Sequence, residues 1–222
     1  MAKRGSKARR PRARGVPRGG SGRGLRIVGG ALRGRRLETP RGNELLRPMR
    51  NQVREALFNS LGPLAGARTL DLFAGSGSLG LEALSRGAAR AVFVDKEPRC
   101  LAVLERNVSA LGLDGRAEVL RFDLARPLVE LAAKGPFDLV LVHPPFALLR
   151  RAPAAGEPDV TRLLNALPRT PGLLAADARV AFETPRRCYP LPAPELHALV
   201  VERRKEYGST ALFIARAVVP PD

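Results

Sequence analysis

The stretch Asp71-Leu72-Phe73-Ala74-Gly75-Ser76-Gly77-Ser78-Leu79-Gly80 joins a short apolar run to the start of a helical pattern. Its glycines allow the backbone to approach a ligand closely, and the helix that follows directs its first amides towards that ligand. The three glycines also satisfy the dinucleotide fingerprint G-x-G-x-x-G, which alone is a weak signal. The stretch therefore predicts a nucleotide-like ligand at the end of the first strand of an α/β sheet.

On both sides of this loop the pattern alternates between strand and helix, which is typical of a parallel sheet covered on both faces. The pattern predicts strands at 69–73, 91–95, 117–122, 137–142 and 178–183, with helices at 78–86, 98–111, 127–133 and 160–167. Two later runs, 199–205 and 210–218, predict an antiparallel hairpin. We expect an α/β, Rossmann-like fold with its ligand beyond the carboxyl ends of the strands.

The positive charge of the chain lies at its front. Residues 1–54 contain 17 Lys and Arg against two acidic residues, whereas the remainder contains 21 basic and 19 acidic residues. This asymmetry favours a phosphate-bearing partner, although a solvated tail that binds nothing specific is the alternative for residues 1–24. We expect a disordered basic tail over 1–24, a basic hairpin and helix over 25–62, and the main domain over 63–222.

Several classes of protein are disfavoured by the composition. Cys100 and Cys188 stand alone, without the spacing of a metal site, which suits a reducing compartment. No apolar run approaches the ~20 residues that cross a bilayer, and no apolar stretch follows the basic N-terminus. We therefore expect a cytoplasmic monomer with no membrane partner and no metal ion.

Aspartates at three predicted strand ends indicate the kind of ligand. Asp71 lies within the first strand near the glycine loop, where a carboxylate favours a cationic group such as an ammonium or sulfonium and repels a pyrophosphate. Asp95 is placed to accept hydrogen bonds from ribose hydroxyls, as in either class of nucleotide enzyme. Asp123 accepts from an adenine amino group or, alternatively, caps the next helix. Of the three, Asp71 disfavours a nicotinamide-dependent enzyme.

A second unusual loop, His143-Pro144-Pro145-Phe146, follows the predicted central strand. The two prolines stiffen the turn and leave the Pro144 carbonyl free to accept a hydrogen bond, and Phe146 is suited to stack on an extruded base. An exocyclic amine on a base is a poor nucleophile, because its lone pair is delocalised into the ring. Acceptors that hold both amine hydrogens favour the reactive form, so the two loops together predict methyl transfer to such an amine.

With these loops, the chain resembles the class I S-adenosylmethionine-dependent methyltransferases, and more narrowly the bacterial family that methylates the exocyclic amine of one guanine in small-subunit (16S) ribosomal RNA (RsmD-like). The similarity runs from Arg26 to about Val218. It is carried by Arg26-Ile27-Val28-Gly29-Gly30, Arg33-Gly34-Arg35, Arg47-Pro48, Val53-Arg54-Glu55-Ala56-Leu57-Phe58, Asp71-Leu72-Phe73-Ala74-Gly75-Ser76-Gly77 and Gly80-Leu81-Glu82-Ala83-Leu84-Ser85-Arg86-Gly87.

The resemblance implies a seven-stranded, mostly parallel sheet with its last strand antiparallel. It also implies S-adenosyl-L-methionine as cofactor, held by Asp71, Phe73, Gly75, Gly77, Gly80, Asp95 and Asp123. The substrate is expected to be small-subunit ribosomal RNA or an assembling 30S particle. The basic residues predicted to grip its phosphates are Arg33, Arg35, Arg47, Arg50 and Arg54, the last three from the exposed side of the helix that follows Pro48.

Two residues depart from the family's pattern. His143 stands where the family has Asp, or Asn in wider relatives, and neutral imidazole offers one acceptor and no negative charge. Loss of one charged acceptor is expected to lower the rate about a hundredfold. The alternative function is therefore a catalytically impaired homologue that binds cofactor and rRNA as a ribosome-assembly factor. Met49 stands where the family usually has Thr, which puts a helix cap or a substrate contact in question.

Overall fold

Seven strands form one sheet in the computed structural model, which describes residues 24–40, 48–149, 159–186, 196 and 198–218. Along the sheet the strand order is β3-β2-β1-β4-β5-β7-β6. The strands are β1 Arg68–Leu72, β2 Arg90–Asp95, β3 Ala117–Arg121, β4 Phe137–Val142, β5 Leu174–Pro185, β6 Leu199–Tyr207 and β7 Thr210–Ala217. Strands β1 to β5 are parallel, and β7 runs antiparallel to both of its neighbours. The predicted fold class is confirmed, including the reversed last strand.

Five helices connect or precede these strands: α1 Asn51–Leu61, α2 Ser78–Ser85, α3 Pro98–Ala110, α4 Val129–Ala132 and α5 Val160–Arg169. A short 3₁₀ helix, Phe146–Leu149, follows β4. The least accurate prediction concerns β5, which begins at Leu174 rather than near 178. Its first four residues are half-buried or exposed and its pairing with β4 shifts register there, so the apolar pattern marks only the later part of the strand.

The two faces of the sheet carry separate hydrophobic cores. Leu139 and Leu141 of β4 pack on the face covered by α1, α2 and α3, whereas Val140 and Val142 pack on the face covered by α4 and α5. This alternation follows from the two-residue period of a strand. In β1 the same alternation places Leu70 and Leu72 in the second core, so that Asp71 points towards the α1–α3 face.

The residues before α1 form a tight loop instead of two full strands. Arg26 and Arg36 make a single antiparallel bridge, and the amide of Ala31 donates to the Ser85 carbonyl at 2.8 Å. Gly30 has a φ of +73°, and a Cβ there would lie 1.9 Å from that carbonyl oxygen, so only glycine permits this contact. The predicted hairpin therefore exists in reduced form, docked on the end of α2.

Helix α1 begins without a side-chain cap, since Arg50 makes no capping hydrogen bond. Met49 is buried in the first core, where it packs rather than caps. No described helix is long and apolar enough to span a bilayer. The predicted disordered tail, apart from Gly24, lies outside the described residues, as does Arg47.

Candidate active site

The loops predicted to share a site lie side by side at one edge of the sheet. Strand β1 is flanked by β2 and β4, and its Leu72 pairs with Val94 on one side and Val142 on the other. Beyond these pairs the amide of Ala74 donates to the Val94 carbonyl at 3.0 Å, and the amide of His143 donates to the Leu72 carbonyl at 3.4 Å. The glycine loop and the Pro-Pro-Phe loop are therefore adjacent, as the sequence predicted.

The three fingerprint glycines differ in what surrounds them. A Cβ at Gly77 would lie 2.2 Å from Leu104 Cδ1, and one at Gly80 would lie 2.3 Å from Phe93 Cε1. At Gly75 the nearest atom to such a Cβ is the Phe73 carbonyl oxygen at 4.0 Å. Gly77 and Gly80 are thus required by packing between α2, α3 and β2, whereas Gly75 borders open space where a ligand can approach.

The amides of these glycines are already bonded within the protein. Gly75 donates to Asp95 Oδ2 at 2.8 Å, Gly77 to the Ala74 carbonyl at 2.8 Å, and Gly80 to Asp71 Oδ2 at 2.8 Å. The loop is therefore pre-shaped by its own hydrogen bonds. Direct contacts of Gly77 and Gly80 with the cofactor stay a prediction. The structure does not favour them, because both amides already donate to groups of the protein.

Phe73 lies between β1 and the glycine loop in a strained backbone conformation. Among the described residues, Phe73 is the only non-glycine residue with a positive φ, which is 59°. The residue is half-buried. A bulky residue in this region costs of order 1–3 kcal/mol, and such strain concentrates at ligand sites. The placement is consistent with the predicted contact between Phe73 and the cofactor.

Asp71 is a buried carboxyl group with one unused oxygen. Oδ2 accepts from the Gly80 amide, whereas Oδ1 has no hydrogen-bond partner among the described residues. Burial, with a smaller contribution from the nearby Asp95, raises the pKa of Asp71 to about 8, and the Gly80 hydrogen bond opposes this rise. An orphaned buried carboxyl oxygen fits the cationic ligand group expected from the sequence, and that contact stays a prediction.

Asp95 and Asp123 both bond to the backbone around them. The oxygens of Asp95 accept from the amides of Gly75 and Glu97, and burial raises the pKa of Asp95 while those amides lower it. Oδ1 of Asp123 accepts from the Ala125 amide at 3.0 Å. Asp123 therefore bonds within its own turn and does not cap the next helix, whose N-cap residue is Leu128. Contacts of Asp95 with ribose and of Asp123 with adenine stay predictions.

His143 is paired with a carboxylate that the sequence did not single out. Its Nε2 lies 2.9 Å from Oε2 of Glu183, on the neighbouring strand β5, and their side chains are 18% and 5% exposed. The pairing follows from register, because Val142 lies opposite Phe182 and each strand advances one residue to His143 and Glu183. The contact has the distance of an ion pair, although Oε2 makes no aligned hydrogen bond.

The remainder of the Pro-Pro-Phe loop is compact. Pro144 is buried, Pro145 and Phe146 are half-buried, and the Pro145 carbonyl accepts from the Leu148 amide at 2.9 Å to begin the 3₁₀ helix. None of the described residues donates a backbone hydrogen bond to the Pro144 carbonyl. The Pro144 carbonyl is thus a free acceptor next to His143, and the aromatic ring of Phe146 follows two residues after Pro144.

Comparison with known proteins agrees with this geometry. Residues 25–216 match the family model described as conserved hypothetical protein 95. The chain is 33% identical over 193 residues to YlbH of Bacillus subtilis, provisionally assigned as an rRNA methyltransferase, with 86% of this chain and 97% of that protein covered. The chain belongs to this family. It is the family of the small-subunit rRNA methyltransferases D, which depend on S-adenosylmethionine.

Two further matches support the family assignment. Ribosomal RNA small subunit methyltransferase D of Escherichia coli K12 is 45% identical over 129 residues, which cover 57% of this chain and 62% of that protein, so the aligned part spans less than two thirds of that relative. The solved structure of the yhhF protein of Escherichia coli, provisionally a methyltransferase, superposes with a TM-score of 0.69 at 34% identity, covering 87% of this chain and 98% of that one.

The predicted contact between Arg54 and RNA is wrong. Arg54 was expected on the exposed side of α1, but its side chain is 0% exposed and its Nε lies 3.6 Å from Glu82 Oε2. The guanidinium also donates to the carbonyls of Met49 and Arg26 and to Asn51 Oδ1. Burial lowers the pKa of Arg54, and the Glu82 carboxylate opposes that shift. Arg54 holds the segment before α1 to the domain and does not reach a phosphate.

Among the described residues the other predicted RNA contacts, Arg33, Arg35 and Arg50, are exposed, but they lie apart. Arg50 donates to the Tyr207 carbonyl at 3.4 Å, in the turn between β6 and β7. That turn lies next to the end of β5, because the amide of Arg186 donates to the carbonyl of Ser209. Arg50 therefore lies at the same end of the sheet as His143, which follows β4. Arg35 donates instead to the carbonyl of Ala110, the last residue of α3. Arg33 is exposed in the same loop as Arg35.

Two buried carboxylates, Glu183 and Glu82, were not predicted as functional residues from the sequence. Glu183 stands at the end of an apolar run, and only its position beside the end of β4 gives it a role. Glu82 forms ion pairs with Arg54 and Arg86 and accepts a hydrogen bond from the amide of Val28. A charged residue inside an otherwise apolar helix, 0% exposed here, is the signal that was available for Glu82.

Replacing Gly75 by alanine tests where the cofactor lies. Gly75→Ala places a methyl group in the open space, so we expect the affinity for S-adenosylhomocysteine to fall at least about tenfold. Gly66→Ala is the control, since Gly66 has a similar φ of +78° with no atom near its missing Cβ. It carries the same backbone strain and should bind with unchanged affinity in calorimetric titration. Equal losses in the two variants would place the cofactor elsewhere.

Proposed function

We propose that this protein transfers a methyl group from S-adenosylmethionine to the exocyclic amine of a guanine in small-subunit ribosomal RNA. The observation that carries the proposal is the meeting, at adjacent strand ends, of the orphaned Asp71 carboxyl oxygen and the stiff loop from His143 to Phe146. The choice of guanine and of ribosomal RNA rests on the family and on the names of its members.

Several residues are assigned to the cofactor. When bound, S-adenosylmethionine supplies an electrophilic methyl group on a sulfonium sulfur. The free oxygen of Asp71 is placed to hold a cationic group at the end of β1, and Asp95, one strand away, is placed to accept from ribose hydroxyls. Gly75, whose amide donates to Asp95, borders open space. The half-buried Phe73 borders the same loop.

Residues after β4 are assigned to the target base. The Pro144 carbonyl and a nitrogen of His143 accept the two hydrogens of the amine, which localises its lone pair on nitrogen. Phe146 offers an aromatic face for the extruded base. Fixed acceptors in a site that excludes water stabilise the positive charge that develops on the amine during transfer.

The second candidate is a ribosome-assembly factor that binds cofactor and rRNA without turnover. The observation that favours it is His143, which lacks the carboxylate of the family's loop. Methyl-tritiated cofactor distinguishes the two when it is incubated with small-subunit RNA, free or in assembling particles. We expect label in that RNA and none in large-subunit RNA. An unlabelled RNA, with S-adenosylhomocysteine still bound in calorimetry, would support the assembly factor instead.

Binding to RNA should depend strongly on salt, since Arg33, Arg35 and Arg50 are exposed cations. Arg50→Gln is expected to make the slope of log K against log salt shallower by about one unit. Arg216→Gln removes the same charge at the far end of β7, where Arg216 pairs with Glu202, and serves as the control. A slope equal to that of the control, measured by filter binding across a salt series, would remove Arg50 from the interface.

A further inference from the structure

The buried Glu183 carboxylate needs a partner. It lies on the α1–α3 face of the sheet at the end of β5, in line with the buried side chains of Ala181, Leu212 and Ile214. A carboxylate in such surroundings is costly unless it is paired. Within the described residues, His143 is the one side chain at ion-pair distance from it. A stability role alone gives no reason to place that charge beside the loop that receives the base.

The contact determines which imidazole nitrogen is free to accept. With Nε2 at 2.9 Å from a carboxylate oxygen, the proton of a neutral ring belongs on Nε2, which leaves the lone pair on Nδ1. Carboxylates fix the tautomer and orientation of histidine rings in this way. Catalytic pairs commonly become fully aligned only when the substrate enters, so the imperfect alignment of the present contact is compatible with that role.

We propose that Glu183 is a positioning residue for methyl transfer, and that the His143–Glu183 pair supplies the acceptor and the negative charge that a single carboxylate supplies in the family's usual loop. This inference rests on the proposed function. The substrate amine nitrogen forms the new bond to the methyl carbon, while the sulfur keeps the electron pair of the bond that breaks. The amine proton passes to Nδ1 of His143, Glu183 holds the resulting imidazolium, and the proton then leaves to water.

The contact with Glu183 changes the activity expected from a chain with histidine at position 143. An isolated imidazole would leave the developing cation without a negative partner and would favour the assembly-factor alternative. Glu183 places one negative charge behind the ring, so the site keeps a carboxylate next to the loop that receives the base. His143 and Glu183 are therefore expected to act as a unit, and their substitutions should not be additive.

Isosteric substitution tests this kinetically. Glu183→Gln should lower kcat about 10- to 100-fold while the KM for RNA and the affinity for S-adenosylhomocysteine stay within about twofold. In a His143→Asn background the same change should cost less than about twofold. Glu118→Gln, which removes another ion-paired strand glutamate at the opposite edge of the sheet, is the control and should leave kcat unchanged. Equal losses in both backgrounds, or a Glu183→Gln enzyme within threefold of wild type, would overturn the proposal.

Nitrogen NMR tests the pair without turnover. The chain has only two histidines, so histidine-selective ¹⁵N labelling gives two imidazoles, and His143→Asn assigns them. We expect His143 protonated at Nε2 and unprotonated at Nδ1, with this preference reduced in Glu183→Gln. A His143 ring protonated at Nδ1, or one unaffected by Glu183→Gln, would refute the pair. If wild type transfers no methyl group, the proposed function fails, and the NMR result still decides whether the pair exists.

Discussion

Replacing Asp71 by asparagine is expected to weaken cofactor binding and to stabilise the protein at pH 7. Asparagine can still accept from the Gly80 amide, but it offers no charge to a cationic ligand group. Loss of one charge-assisted hydrogen bond should lower the affinity for S-adenosylhomocysteine about ten- to a hundredfold. Asp138→Asn is the control, since Asp138 lies in β4 and accepts from the Arg68 amide near the start of the strands. Its affinity should equal that of wild type.

The stability change follows from the pKa of about 8 for Asp71. Because the folded-state pKa is raised above the ordinary value of 3.8, folding favours the protonated carboxyl, and this contribution is lost as the pH rises from about 4 to 8. Asp71→Asn removes the cost of ionisation and should gain about 2–4 kcal/mol at pH 7. The gain should shrink as the pH falls and vanish near pH 4. Urea unfolding across this range measures it, and a less stable variant at pH 7 would contradict the assignment.

Removal of the Arg54 guanidinium should destabilise the fold more than any exposed arginine substitution. Arg54→Ala leaves Glu82 buried with one partner fewer and releases the carbonyls of Met49 and Arg26, so we expect a loss of about 3–5 kcal/mol. The matched control is Arg106→Ala, because the Arg106–Glu38 pair is 56% and 61% exposed. Such a pair contributes about 0–1 kcal/mol. Similar losses in the two variants would show that the buried pair does not hold the segment before α1.

A double-mutant cycle separates the pair from its surroundings. Arg54→Met with Glu82→Gln replaces both charges, and we expect the double variant to be more stable than the sum of the single losses predicts. Folded Arg54→Met should keep the salt slope of RNA binding seen in wild type, because the side chain is buried and cannot contact a phosphate. A shallower slope would return Arg54 to the RNA interface.

Much of the fold could be predicted because its signals are local. The apolar run Phe137–Val142 predicted β4 with its bounds, and the glycine loop predicted the end of β1. The neighbouring position of the two loops followed from the expected fold, in which parallel strands place their carboxyl ends at one edge of the sheet. Local patterns also carried the family resemblance, which the matches then confirmed.

What the sequence did not reveal depends on contacts between distant residues. Arg54 on α1 has the sequence pattern of an exposed cation. Its burial depends on Glu82, which lies 28 positions later in the sequence and pairs with it. Glu183 acquires a role only when β5 is known to lie next to β4, which brings it to His143 across 40 residues. The fingerprint glycines were predicted as cofactor contacts, but two of them are required by packing, which depends on the side chains of Leu104 and Phe93.

The chemical identity of the methylated nucleoside tests the central claim most directly. Small-subunit RNA prepared without this modification is incubated with the protein and S-adenosylmethionine, digested to nucleosides and analysed by mass spectrometry. Transfer to an exocyclic guanine amine predicts N2-methylguanosine as the new product, at one position of the RNA. A methyl group on adenine or ribose, or no new nucleoside from protein that binds S-adenosylhomocysteine, would contradict the account.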